Sequence, residues 1–473
     1  MSNLTLENLM TKQVHFIGMG GSGMSGIARI MLAHGISVSG SDAKDSPTLS
    51  GLKTLGAKVF VGHDASQISG AQVLVVSSAV QASNPEFVAA TAAGLVILTR
   101  AEALALLMSE SKAIAIAGTH GKTTTTSMLT VALQGAGLDP SFAIGGMINR
   151  SGTNSHLGTG NIFVAEADES DGSFLAYRPY GAIITNIELD HVDHFPDLEA
   201  VLALFEDFVA SIQSGGFLVL GSDSPGVVEL ISRIKRTDIS LITYGTGGDF
   251  SLSHIGLGAG NGAARVTRKG KVMGELELSI PGAHNLDNAL AAYAAGLSVG
   301  ADSIALMKGL STFSGARRRF ENRGSVNGIT VIDDYGHHPT ELRVTLETAR
   351  RFAQSGKVIT IFQPHRFSRT ARFASEFAES LKLADRVYLL EIYSAGETPI
   401  PGVSSLLIAQ RITENGNDGN EGKSIVEYEP SMIEVANQVI NSAQPGDVVL
   451  LLGAGDVNSL APVIIDGLAE RFS

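Results

Sequence analysis

Residues 113–126 read Ala-Ile-Ala-Ile-Ala-Gly-Thr-His-Gly-Lys-Thr-Thr-Thr-Thr. The apolar alternation Ala113–Ile116 predicts a strand. It runs into a glycine-rich turn and a helix start, the arrangement that cradles phosphates. Backbone N–H groups from Gly118 to Gly121 can point at an anion, and the helix N-terminus adds partial positive charge. Lys122 supplies a full cation for β- and γ-phosphates, and the Thr123 hydroxyl can ligate Mg²⁺. Gly118, Thr119, His120, Gly121, Lys122, Thr123 and Thr124 are therefore candidate contacts to ATP or a close relative. Ile116 stands where the usual Gly-x-x-x-x-Gly-Lys-[Ser/Thr] has its first glycine, so the loop is a shortened variant. A chance Gly-Lys-Thr is the bland alternative, but strand, glycines, lysine and hydroxyls all occur in order.

Outward from this loop, short β-branched runs alternate with Ala/Leu-rich segments, which argues for βαβ units around parallel sheets. At 473 residues the chain is too long for one core. Three α/β domains are expected: residues 1–109 and 317–473 Rossmann-like, and 110–316 a central P-loop ATPase-like domain. Within 241–280 the pattern changes, and Ala264–Arg268 with Val272–Ser279 reads as an antiparallel hairpin turning at Lys269-Gly270. Residues 415–423 read as a solvated loop. The hydrophobic fraction is 44%, the charged fraction 17% and the net charge −13, which fits a folded protein and argues against broad nucleic-acid binding. The absence of cysteine excludes disulfides, thiolate nucleophiles and Cys-ligated metals. With no signal-peptide pattern and no long apolar run, a cytoplasmic location without membrane insertion is expected. Oligomeric state stays open between monomer and homodimer.

A second glycine motif, Gly18-Met19-Gly20-Gly21-Ser22-Gly23, follows a predicted strand and precedes a predicted helix. Ser41-Asp42 ends the next strand, with Asp42 placed to bond a ribose hydroxyl. Alone it suggests a nicotinamide-dependent oxidoreductase. The geometry certifies only a diphosphate on a helix N-terminus, however, and an oxidoreductase leaves the Lys122 loop without purpose. Two nucleotide-type sites fit an ATP-consuming enzyme acting on a nucleotide-linked substrate. A regulatory ATP-binding protein without such chemistry would leave the acidic and His-Arg clusters unexplained.

Carboxylates crowd two strand ends, in the segments Glu166–Asp171 and Thr185–Asp193. Glu166, nearest its strand, is the best metal candidate, followed by His191. Asp168, Asp171, Glu188 and Asp193 read as solvating or loop-building residues. These segments, with Ala117–Thr125 and His284-Asn285, resemble the ATP-dependent Mur ligases of bacterial cell-wall synthesis. The segments Asp333–Thr340, Phe362–Thr370 and Gly18–Gly26 narrow the resemblance within that family.

The resemblance implies an enzyme of peptidoglycan precursor synthesis that uses ATP to join L-alanine to the lactyl carboxylate of UDP-N-acetylmuramate through an acyl phosphate. The member that attaches an intact tripeptide to the same sugar nucleotide is the alternative, expected to lack the His365–Arg369 stretch. The resemblance places the UDP-substrate on Gly18, Gly20, Gly21, Ser22 and Gly23, with Ser41, Asp42, Ser77, Ser78 and Arg100 as further contacts. Lys122 would stabilise the transferring phosphoryl group. Thr123 and Glu166 would hold one Mg²⁺ and His191 a second. Arg319 or Arg318, at the third domain's start, would reach the γ-phosphate, with Arg317 a solvated turn residue. Asn285 would meet adenine, and Asp333 or Asp334 the ribose. An amino-acid carboxylate wants an arginine fork, so Arg366 and Arg369, with His365, are expected to bind L-alanine. Tyr335 and His338 either shape that pocket or build the turn at Pro339. Some Mur ligases order the second metal with a modified lysine downstream of His191. No lysine occurs from His191 through Ile234, so that modification is not expected here.

Overall fold

The computed structural model describes residues 4–77, 80–414 and 425–473. The loop expected at 415–423 and the candidate contact Ser78 lie outside the described residues. Three sheets follow one another along the chain. The first has strands β1 (Gln13–Ile17), β2 (Ser37–Asp42), β3 (Lys58–Val61), β4 (Val73–Val76) and β5 (Val96–Thr99), all parallel, in the order β3-β2-β1-β4-β5.

The second sheet has ten strands. They are β6 (Lys112–Ala117), β7 (Ser141–Ala143), β8 (Ser155–His156), β9 (Ile162–Glu166), β10 (Gly181–Ile184), β11 (Phe217–Gly221), β12 (Ser240–Tyr244), β13 (Phe250–Leu257), β14 (Gly262–Arg268) and β15 (Lys271–Leu278). The phosphate-loop strand β6 lies between β9 and β10, so its carboxyl end is flanked by both acidic segments. The expected hairpin is β14–β15, antiparallel, and β13 extends it.

The third sheet comprises β16 (Glu321–Val326), β17 (Ile329–Asp334), β18 (Val358–Phe362), β19 (Arg386–Leu389), β20 (Ile425–Tyr428) and β21 (Val448–Leu452). Its order is β16-β17-β21-β18-β19-β20, parallel except for the edge strand β16. Each sheet thus presents carboxyl strand ends as a ligand-receiving edge.

The alternation in β6 has a packing reason. Ala113, Ala115 and Ala117 join the apolar core that also holds the first sheet's Val14, Phe16 and Val75. Ile114 and Ile116 point the other way, into a core with Leu286, Leu290 and Phe313. Both faces are covered, as a parallel strand requires. The helix Lys122–Gly135 starts at Gly121, whose φ of +81° suits glycine and would strain other residues. It packs closely on the helix Ser303–Ser311: a Cβ on Gly135 would come within 2.6 Å of Gly309 Cα.

Candidate active site

The phosphate loop is tied down from across the sheet. Asn186, just past β10, accepts from the Thr119 N–H with its carbonyl (3.0 Å) and from the His120 N–H with its Oδ1 (2.8 Å). The Thr185 hydroxyl donates to the His120 carbonyl (2.6 Å). This corrects the expectation that all amides from Gly118 to Gly121 face an anion: Thr119 and His120 are engaged. The N–H groups from Gly121 into the first helical turn are those a helix start leaves available for an anion. Gly118, at φ +124°, passes so close to β10 that a Cβ would meet Thr185 Oγ1 at 2.2 Å.

Lys122 folds back over this turn. Its Nζ donates to the carbonyls of Gly118 (2.7 Å) and Thr119 (3.1 Å) and to Glu169 Oε1 (2.9 Å). Burial pushes the Glu169 carboxyl up to about 7, against the pull of Lys122. His191 Nε2 lies 3.8 Å from the same Glu169 oxygen. Burial lowers the His191 pKa, which leaves a neutral imidazole able to ligate a metal. Thr123 Oγ1 donates to Glu166 Oε1 (2.9 Å), and the Gly145 N–H holds Glu166 Oε2 (2.7 Å). A hydroxyl and a carboxylate pre-oriented together fit a hard, oxygen-seeking cation such as Mg²⁺.

A seam joins the second and third sheets at this edge. His120 lies between carboxylates from opposite sides, with Glu188 Oε2 at 3.5 Å and Glu341 Oε1 at 3.2 Å. Burial alone would lower the His120 pKa, but these two partners raise it to about 9. Glu188 also accepts from Thr340 Oγ1 (2.7 Å). His338 caps the helix Pro339–Ala353, is buried, and lies tilted against His120 with ring centroids 4.7 Å apart. It belongs to the seam and builds the turn at Pro339. Glu188 and Asp193, read from sequence as loop-building, are seam residues as well.

The basic set beyond β18 is brought together but is already engaged. Arg369 is 3% exposed and grips Asp190 through Nε (3.0 Å) and Nη2 (2.9 Å). It is thus an internal tie, which corrects its assignment as a free carboxylate fork. Arg366 pairs with Asp193 and lies 3.8 Å from Glu397, yet keeps 28% of its side chain exposed. His365 stacks on Tyr393; burial, with His337 and Arg369 nearby, lowers its pKa to about 3.

Beside the loop opens a cavity of about 330 Å³ lined by Gly121, Asn285, Asn288, Phe313, Arg319 and Asp334, among others. Asn285 is anchored by donating to the Pro281 carbonyl (2.6 Å). Adjacent strand residues face opposite ways, and only Asp334 faces this cavity. Asp333 is fully buried near Arg318 (3.5 Å) and Arg323 (3.3 Å), so it is corrected to a structural ion-pair residue. The three arginines separate similarly. Arg318 donates to the carbonyls of Gly453 (2.6 Å) and Gly455 (3.1 Å), stapling that turn. Arg319 alone of the three lines the cavity. Tyr335 lies under both guanidiniums, 4.9 and 5.2 Å from its ring centre, and serves as their platform.

In the first sheet, the glycine loop runs from Gly18, at φ +79°, into the helix Ser22–Ala33 capped by Gly21. Asp42 Oδ2 accepts from the Gly20 N–H (2.8 Å), so Asp42 braces the loop rather than offering that oxygen to a ribose. Ser41 is another correction: its side chain is fully buried and donates to Glu86 Oε2 (2.6 Å). Ser77 lies under Gly18, and Arg100 packs along Gly23, 4.0 Å from Asp168 of the central domain. The Asn154 side chain donates to the Ser22 carbonyl (2.8 Å), a second link between these domains. Asn154, Asn186, Glu169, Glu341 and Glu86 were not singled out from sequence. Of these, Glu169 and Asn186 lie in stretches that carried a local signal, the acidic run after β9 and the Thr185–Asp193 run after β10.

Family models match nearly the whole chain: "Mur ligase family, catalytic domain" over residues 13–112, "Mur ligase middle domain" over 116–296 and "Mur ligase, glutamate ligase domain" over 318–455. A UDP-N-acetylmuramate–L-alanine ligase from Acidothermus cellulolyticus is 46% identical over 472 residues, covering 99% of this chain and 97% of that protein. One from Paenarthrobacter aurescens is 48% identical over 458 residues, covering 96% and 97%. Among solved structures, the UDP-N-acetylmuramate–alanine ligase of Thermotoga maritima superposes with a TM-score of 0.80 at 29% identity, covering 98% of this chain and 99% of that one. A murein peptide ligase from Psychrobacter arcticus reaches 0.70 at 25%, covering 97% and 99%. With all three of the family's domains matched in order and relatives at 46–48% identity over nearly the whole chain, this chain belongs to the Mur ligase family.

Proposed function

We propose that the protein is an ATP-dependent ligase that joins L-alanine to the lactyl carboxylate of UDP-N-acetylmuramate, in the cytoplasm, during peptidoglycan precursor synthesis. The observation that carries this reading is the pairing of two different glycine loops. One is backed by a cation and a hydroxyl–carboxylate pair and the other is braced by Asp42, in a chain 46% identical over its length to ligases named for this reaction. Residues 1–109 would take the sugar nucleotide, 110–316 ATP, and 317–473 would close over both and receive the amino acid.

An amine does not attack a carboxylate anion, so the carboxylate must be activated. Its oxygen attacks the γ-phosphorus and ADP leaves. The L-alanine nitrogen, deprotonated, then attacks the acyl carbon and phosphate leaves. Both steps gather anions, so the residues' work is positioning and charge neutralisation. Lys122 exchanges its contacts with Gly118 and Thr119 for the phosphate oxygens. Arg319 approaches from the third domain, and Asn285 and Asp334 hold the adenosine. Arg366, exposed where Arg369 is not, is the candidate for the L-alanine carboxylate, with Arg369 keeping Asp190 and the seam in place. Thr123 and Glu166 would hold Mg²⁺ and His191 would ligate a second ion, supplying charge neutralisation at the phosphates.

Phosphate release tests the reading. It should require Mg-ATP, UDP-N-acetylmuramate and L-alanine together. Release with an intact tripeptide but not with L-alanine would transfer the reading to the tripeptide ligase. Release without any sugar nucleotide would refute both.

A further inference from the structure

Among the described residues, one set of three side chains brings together ligand atoms suited to a metal ion: His120, Glu188 and His338, with one such atom from each lying within 4.8 Å of the others. It is distinct from the positions Thr123, Glu166 and His191. His120 Nε2 is 3.5 Å from Glu188 Oε2, and His338 Nδ1 is 3.8 Å from the same oxygen. Bonds of about 2 Å in a tetrahedral zinc site place ligand atoms about 3.3 Å apart, so both separations are near the required one.

The surrounding hydrogen bonds leave the nitrogens open. Both nitrogens of His120 and Nε2 of His338 are buried without a hydrogen-bond partner, and His338 is 4% exposed. A buried polar atom left unpaired is costly. The Thr340 N–H reaches His338 Nδ1 only at 3.4 Å, a loose cap. Glu188 Oε2 is firmly oriented, since Thr340 Oγ1 donates to it at 2.7 Å. Across the His120 ring, Nδ1 faces Glu341 Oε1 at 3.2 Å. A carboxylate behind an imidazole is the usual support of a metal-bound histidine. Metal-free, His120 carries a proton between the two carboxylates. Two carboxylates outweigh one imidazolium, and a divalent cation in place of the Nε2 proton cancels the excess. The Nδ1 proton stays on the side of Glu341.

We propose that His120, Glu188 and His338 form a binding site for a borderline divalent cation such as Zn²⁺, with Glu341 as the positioning residue of His120. Two imidazoles and one carboxylate suit such an ion better than Mg²⁺, which prefers oxygen ligands. The site therefore differs in kind from the Thr123–Glu166 pair. His120 and Glu188 line the cavity beside the phosphate loop, which gives an ion its way in. They follow β6 and β10 of the central sheet, whereas His338 caps a helix of the third domain. The bound ion ties these two domains together. The site stands whichever reaction the protein catalyses.

The test is calorimetric titration of the metal-free, full-length protein with Zn²⁺ in the presence of excess Mg²⁺. The wild-type protein should take up Zn²⁺. His338→Asn, which keeps a capping side chain but no imidazole, should bind it about a hundredfold more weakly, and so should Glu188→Gln. Glu341→Gln should weaken binding about tenfold, the scale of a lost support behind a ligand. His191→Ala should bind Zn²⁺ as the wild type does. Wild-type affinity in either His338→Asn or Glu188→Gln would overturn the proposal, as would no uptake by the wild-type protein. Affinity lost in His191→Ala would place the ion at the phosphates instead and overturn it too. Glu188→Gln leaves the helix cap untouched and keeps the test decisive should His338→Asn fail to fold.

Discussion

The His120 seam makes stability depend on pH in a defined window. His120 is held between Glu188 and Glu341, with His338 tilted alongside, and its pKa rises from 6.5 to about 9. A raised pKa means that the folded state binds the proton more tightly. The contribution is fully present below 6.5 and is lost as pH climbs through about 9. The side chain is only 11% exposed, so screening is slight. The rise corresponds to about 3 kcal/mol. Urea unfolding of the wild-type protein between pH 6.5 and 9 should lose stability on that scale. His120→Asn, which cannot titrate, should lose much less stability across the same window. Glu341→Gln removes one of the two carboxylates and should leave about half of the effect. Glu169, raised to about 7, also titrates inside this window, so the informative quantity is the difference between wild type and variant. Parallel pH profiles for wild type and His120→Asn would refute the reasoning.

Three further outcomes are expected. Lys122→Ala should reduce ligation by about a thousandfold or more while UDP binding, measured by calorimetry, is retained. Glu166→Gln should raise the Mg²⁺ concentration for half-maximal phosphate release by about tenfold or more, since it weakens one charged ligand. Arg369→Ala strands buried Asp190 and should cost about 3 to 5 kcal/mol in urea unfolding, much of it recovered when Asp190→Asn is added.

What could be read from sequence was local. The lysine loop, the glycine loop and the β14–β15 hairpin announce themselves because turn, strand and helix signals sit within a dozen residues. Thr123 and Glu166 could be named because each ends or follows a legible strand. The corrections arose where partners are remote. Asn186 takes the His120 amide from 66 positions away, Glu86 takes the Ser41 proton across 45, and Asp190 takes Arg369 across 179. Neighbouring residues such as Asp333 and Asp334, or Arg318 and Arg319, diverge because the pleat or turn sends them to opposite sides. Strand β12 gives a weak sequence signal because two of its five residues are exposed and it lacks the apolar run that marks β6.

The seam has a consequence for biosynthesis. Thr340 and Glu341, which complete the surroundings of Glu188 and His120, belong to the last third of the polypeptide. Domains emerge from the ribosome in order and fold largely as units. A nascent chain therefore owns its triphosphate cradle long before it owns the groups that finish it. On the proposed function, the groups that complete the cradle's surroundings arrive only with the carboxy-terminal sheet.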